Sequence, residues 1–214
     1  MNTFLPPAGG YRKLRAFQLS EIICDLSVIF ARKYIRHGSR TRDQIEQAAR
    51  SGKQNIAEGS EASRTSKETE IKLTNVAKAS LEELLLDYED YIRQHNLQQW
   101  AKTHPRTIRL REYLKSDEFM NNPTRFSDKL NEEEYYNLCI TLINQTTYLL
   151  KRLIDRQQQQ FLEQGGIKEQ MFRARISHRN QTGQTCQTCQ TCQTSPTSPT
   201  SLTHIPNKNP SKAR

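Results

Sequence analysis

Apolar residues recur along most of the chain at the three- and four-residue spacing of a single helix face. The first run spans about Gln18 to His37 and carries Leu19, Ile22, Ile23, Leu26, Ile29 and Phe30 on one side. A second opens near Thr41, with a face of small residues: Ile45, Ala48, Ala49, Gly52 and Ile56. Glycine in mid-helix costs roughly 1 kcal/mol against alanine, so a close approach of two backbones is expected at Gly52. The third pattern runs from about Ser66 to Gln94. Its stripe is Leu73, Val76, Ala77, Ser80, Leu81, Leu84, Leu85 and Tyr88. The fourth starts after Asn131 and continues to Gln164 through Tyr135, Leu138, Cys139, Leu142, Thr146, Leu149, Leu150 and Leu153. No stretch alternates convincingly as a strand. The pattern predicts an all-α antiparallel four-helix bundle.

Helix-start signals punctuate these runs. A hydroxyl or amide at the N-cap accepts from a free backbone N–H, and a Glu or Gln three residues on reaches back. Thr41 with Gln44, Thr65 with Glu68 and Asn131 with Glu134 all have that spacing. Gly59 and the polar segment after it separate the second and third helices, and Gly165-Gly166 ends the fourth. Residues 95–130 form an irregular connection. Within it Gln98-Gln99-Trp100 reads as a helical turn, Arg106 to Lys115 as a short basic helix, and Pro123 as a turn. The expected organisation is a flexible arm over 1–10, the bundle over 11–164, an amphipathic suffix over 165–180 and a tail over 181–214. Ile167, Met171, Phe172 and Ile176 are the expected anchors of the suffix. The tail repeats QTG, QTC, QTS and PTS triplets with almost no large apolar residue, so disorder is expected there.

Composition adds charge to this picture. The net charge is +9 over 214 residues. The tail holds Lys208, Lys212 and Arg214 and no acid, so +6 remains on residues 1–180. Such a balance favours nucleic acid or an acidic protein face as partner. Five cysteines, an odd count, and an N-terminus without a long apolar run point to a reducing, cytoplasmic setting. No segment approaches the roughly 20 apolar residues of a membrane span.

The stretch from Ala49 to Gly59 reads Ala-x-Ser-x-x-x-Asn-Ile-Ala-Glu-Gly. It resembles the signature of a four-helix bundle family. That family includes proteins encoded in intervening sequences of bacterial large-subunit ribosomal RNA genes and the accessory variability determinant of diversity-generating retroelements. Ser66-Lys67 and Val76-Ala77-x-x-Ser80-Leu81-x-Glu83-Leu84 are similar to its third-helix pattern, and Tyr11-Arg12-x-Leu14 with Phe17-Gln18 to its N-terminal pattern. Gly165-Gly166-Ile167 and Met171-x-Arg173-x-Arg175 resemble a suffix-bearing branch. Lys53 stands where the pattern has proline, and Glu70 where an aromatic is common. The resemblance implies a homo-oligomer, a five-fold barrel with a basic surface, no enzymatic site and no cofactor. It implies Asn55, Glu58, Gly59, Ser80 and Glu83 as signature positions. In retroelements such a barrel contacts a reverse transcriptase and binds nucleic acid.

Candidate sites divide by chemistry. Asn55 and Glu58, one turn apart, could meet a ligand, but bonding the helix end or a neighbouring subunit is the simpler role. Glu83, Asp87 and Asp90 share a face, yet no histidine has a Glu three residues before it, as a di-iron bundle requires. A solvated or subunit-facing acidic stripe is expected instead. Cys186, Cys189 and Cys192 sit in the repeat and lack the fourth ligand of structural zinc. The basic clusters carry the strongest signal: Arg32, Lys33, Arg36, Arg40 and Arg42; Arg106, Arg109, Arg111 and Lys115; Lys151, Arg152 and Arg156; and Arg173, Arg175 and Arg179. Lys and Arg neutralise phosphates without reading sequence. Tyr113, Tyr135 and Tyr136 are candidates to stack on bases, with core packing as the alternative. The sequence therefore predicts a non-enzymatic accessory or scaffold protein that binds nucleic acid through phosphates and docks a protein such as a reverse transcriptase. The alternative is a purely structural module that recognises an acidic protein.

Overall fold

The computed structural model describes residues 10–125 and 127–183, with side chains up to Asn180. Among these the architecture is all-α. A 3-10 turn, Tyr11–Lys13, precedes α1 (Arg15–Tyr34), α2 (Arg40–Ala62), α3 (Lys67–His95), α4 (Pro105–Tyr113), α5 (Asp117–Asn121), α6 (Glu132–Gln164) and α7 (Ile167–Gly183). The chain divides into two compact units, Met1–Ala174 and Arg175–Arg214. The arm, apart from Gly10, and the repeat with Cys186, Cys189 and Cys192 lie outside the described residues.

In the first unit α1, α2, α3 and α6 each pack on two of the others, in the cyclic order α1, α2, α3, α6. Side-chain partners fix their directions. A Cβ on Gly52 would meet Leu81, and one on Gly59 would meet Leu73, so α2 and α3 run antiparallel. Tyr91 bonds Glu132 and Gln157 bonds Glu70 and Thr74, which makes α3 and α6 antiparallel as well. Across the bundle, Tyr88 donates to Ser27 and Tyr91 to the Tyr34 carbonyl, so α1 and α3 are parallel. The result is an up-down-up-down ring of helices around one core.

That core follows the apolar stripes. Leu26, Phe30, Ile45, Leu81, Leu84, Leu142 and Ile143 are fully or almost fully buried. Each such side chain contributes about 1.5–3 kcal/mol. The small face of α2 is wholly buried as the pattern predicts, from Ile45 to Ile56. A Cβ at Gly52 would stand 2.7 Å from Leu81 Cδ2, so glycine leaves the space that the buried Leu81 side chain fills. Phe30 lies 4.9 to 5.9 Å from the rings of Tyr88, Tyr91, Tyr34 and Tyr135. The Tyr135 hydroxyl donates to the Leu26 carbonyl at 3.0 Å, and burial raises its pKa.

Several expectations are corrected. α1 starts at Arg15 and ends at Tyr34 rather than His37. α2 starts at Arg40 after Ser39, which makes no side-chain cap, so Thr41 and Gln44 form no capping box. Ser66, not Thr65, caps α3 by accepting from Thr69 N at 3.1 Å; the Thr65 hydroxyl instead turns back to Ala62. Thr41 and Thr65 have the right spacing, but the backbone turn places the free N–H groups elsewhere. The Asn131–Glu134 capping box forms at both bonds. Val76 is exposed, and Thr74 occupies the buried position the pattern gave it. Gln98-Gln99-Trp100 is not helical, whereas α5, opened by the Ser116 cap, is. α7 continues to Gly183, into the region expected to be disordered. Met171, Phe172 and Ile176, expected to anchor it, are exposed.

Candidate nucleic-acid interface

The cations cluster where helices end. Arg32 and Lys33 lie in the last turn of α1, where the negative end of the helix dipole offsets their mutual repulsion. Arg36 and Arg40 flank the turn into α2 and are exposed. The N-terminus of α2 receives no side-chain cap. Its first N–H groups and its positive dipole end therefore add to the charge of Arg40, a combination that attracts anions. Two members of this cluster have structural partners. Arg42 pairs with Glu46 at 3.3 Å. Lys33 donates to the carbonyls of Ser127 and Leu130 at 3.3 and 3.4 Å, strapping the connection to α1.

The second cluster is on α4, which packs against α6. His104 caps it through Nδ1, and Pro105 occupies its first turn, where no N–H is missed. Arg106 stands 3.9 Å from Glu134 and 5.4 Å from the Trp100 ring centroid. Arg109, one turn on, is exposed and makes no hydrogen bond or ion pair among the described residues. Arg111 is half-buried and Lys115 lies exposed beyond the helix. A shallow hollow of about 370 Å³ separates α4 from α6. Leu110, Leu130 and Leu138 form its apolar wall, Trp100 and Tyr113 supply its rings, and Arg106, Arg109 and Glu134 its charges. Leu130 belongs both to this hollow and to the Lys33 strap, so the start of α4 shares an end of the bundle with the first cluster, while its far end reaches back to Arg15 at the start of α1.

The third cluster is elsewhere on the first unit. Lys151, Arg152 and Arg156 are exposed on α6. At 1.5 Å per residue they lie roughly 25 to 33 Å along that helix from Glu134. Arg173 reaches the Gln164 carbonyl at 3.4 Å. Arg175 and Arg179 belong to the second unit and are exposed. Within the first unit the α6 cluster is not continuous with the first two. Tyr135 and Tyr136 are completely buried and unavailable for stacking on a base.

The acidic stripe and the signature positions have different fates. Glu83 and Asp90 are exposed, and Asp90 pairs with Arg93 at 2.7 Å. Asp87 is half-buried, and its Oδ2 meets no hydrogen-bond partner. Burial, then the Glu83 and Asp90 carboxylates, push its pKa up. No group of three or more metal-ligating side chains converges among the described residues. Asn55 donates to the Ser51 carbonyl at 2.9 Å and to its hydroxyl at 3.2 Å. That hydroxyl is 3.1 Å from the Ser80 hydroxyl on α3. Asn55 therefore braces Ser51 from within α2, and Ser51 and Ser80 join α2 to α3 beside the close approach at Gly52. Gly59 makes a second one, 3.2 Å from Leu73 Cβ to its would-be Cβ. Glu58 is exposed.

The connection holds Trp100 by contacts that no periodicity announces. Asn137, buried on α6, accepts from Trp100 N at 2.8 Å and donates to the Gln98 carbonyl at 3.0 Å. Glu133 accepts from the indole Nε1 at 2.8 Å. A polar Asn inside the apolar run of α6 was the available signal. No protein-family model, curated protein or solved structure matches the chain. No helix among the described residues is long and apolar enough to cross a membrane.

Proposed function

We propose that the protein is a non-enzymatic helical scaffold that binds nucleic acid through phosphate contacts and docks a protein partner. One observation carries the reading. At one end of the bundle Arg32, Arg36, Arg40 and Arg109 are exposed without a carboxylate partner among the described residues, beside the uncapped start of α2. Cations that neutralise no carboxylate of their own chain are available to phosphates, and counterion release supplies the affinity. The +6 balance of residues 1–180 supports the same reading.

Assembly of several copies, five in a ring, follows from the signature resemblance alone, as does a reverse transcriptase as the docked protein. Leu86, Leu162 and Phe172 are exposed apolar side chains that such contacts would cover. Sedimentation of the full chain tests the assembly, and a monomer at all concentrations overturns it. Gel shift with DNA and with RNA across a salt series tests the binding. Tight binding at low salt that weakens steeply as salt rises is the expected result. No binding at low salt, or binding indifferent to salt, overturns it. Capture of an acidic protein that survives nuclease treatment would then favour the purely structural module.

A further inference from the structure

We propose that the hollow between α4 and α6 receives one unpaired base of the bound strand, with its phosphate on Arg109. This rests on the phosphate-binding reading above and gives it a preference for single strands. The wall is apolar, made by Leu110, Leu130 and Leu138. A bare anion gains nothing from three leucines, and a purely apolar ligand gains nothing from an unpaired guanidinium. A flat ring with an apolar face, joined to a phosphate, uses both.

The geometry also sets the size and state of the ligand. At about 370 Å³ the hollow is near the lower end of ligand pockets. That is room for one base. In a duplex every base is stacked and paired, so only an unpaired base can enter. Trp100 is held in place before any ligand arrives, by Asn137 at its N–H and Glu133 at its indole Nε1. Arg106 already leans over the indole and pairs with Glu134 at 3.9 Å, which leaves Arg109 as the lining cation without a partner among the described residues.

Trp100 is the sole tryptophan, so its emission reports on this hollow alone. The full chain is titrated with oligothymidylate, with an equally long strand of abasic sugar phosphates, and with a duplex. Base stacking on an aromatic side chain predicts that oligothymidylate binds about fivefold or more tighter than the abasic strand. It should quench Trp100 saturably, while the abasic strand and the duplex bind without quenching. Arg109→Ala should weaken the quenching titration. Arg152→Ala, which removes an equal charge on α6 away from the hollow, should leave its amplitude unchanged. Equal affinity for thymidylate and abasic strands without quenching overturns the hollow and leaves phosphate binding standing. Quenching by an acidic peptide but by no strand overturns it in favour of a protein ligand. Failure of every strand to bind overturns both readings.

Discussion

At the scale of residues, charge and close packing do separate work. Asp87 shows the first. Its carboxylate is half-buried beside Glu83 and Asp90, and one oxygen has no hydrogen-bond partner. Because its pKa is raised in the folded state, the fold binds a proton more readily than the unfolded chain there. Its contribution to stability therefore falls as pH rises from the ordinary carboxylate range through the raised value. Asp87→Asn should stabilise the protein at neutral pH by roughly 0.5 kcal/mol, a small effect because solvent screens a partly exposed group. It should also flatten that segment of the pH–stability curve; urea denaturation at several pH values checks both. Gly52 shows the second. Gly52→Val would overpack Leu81 and should cost about 1–3 kcal/mol, seen as a lower urea midpoint with an unchanged slope. The small face of α2 was legible in the sequence because a run of Ala and Gly has few uses except close approach. The partner of that face was not, since nothing local encodes that Ser51 meets Ser80.

Elements were legible wherever one physical cause dominates. The stripes of α1, α3 and α6 emerge at the expected places because each buries many apolar side chains, and that term outweighs local preference. Boundaries depend on smaller energies. Thr65 and Ser66 are adjacent hydroxyl residues, and spacing alone favours Thr65, yet the turn delivers the Thr69 N–H to Ser66. The two residues therefore separate by mutation. Ser66→Ala should cost about 1 kcal/mol, and Thr65→Ala should change the thermal midpoint little. The connection was read least well. Its order comes from single contacts that no periodicity announces: Arg15 to the Leu114 carbonyl at 3.2 Å, Lys33 to Leu130, and Asn137 to Trp100. Leu114 and Phe119 are buried, so this segment is part of the core despite its irregular backbone.

At the largest scale the first unit is a bundle whose helix stripes face one core, with Arg32, Arg36 and Arg40 exposed at one end without a carboxylate partner among the described residues. The basic clusters were visible in the sequence as runs, because arginines next to one another need no fold to be recognised. Their arrangement was not visible. Only helix directions show that the turn after α1 and the start of α4 share an end, joined through Leu130, while Lys151, Arg152 and Arg156 lie about 25 to 33 Å away along α6. If phosphates bind at that end, removing its cations must lower the number of counterions released. The most direct test compares the slope of log affinity against log salt for the unaltered protein, the Arg32→Ala, Arg36→Ala, Arg40→Ala triple variant, and the Lys151→Ala, Arg152→Ala, Arg156→Ala triple variant on single-stranded DNA. Each lost phosphate contact reduces the slope by about 0.7. The first variant should lose about 1 to 2 from the slope and the second distinctly less. Equal slopes for all three, or a larger loss from the α6 variant, would contradict the account.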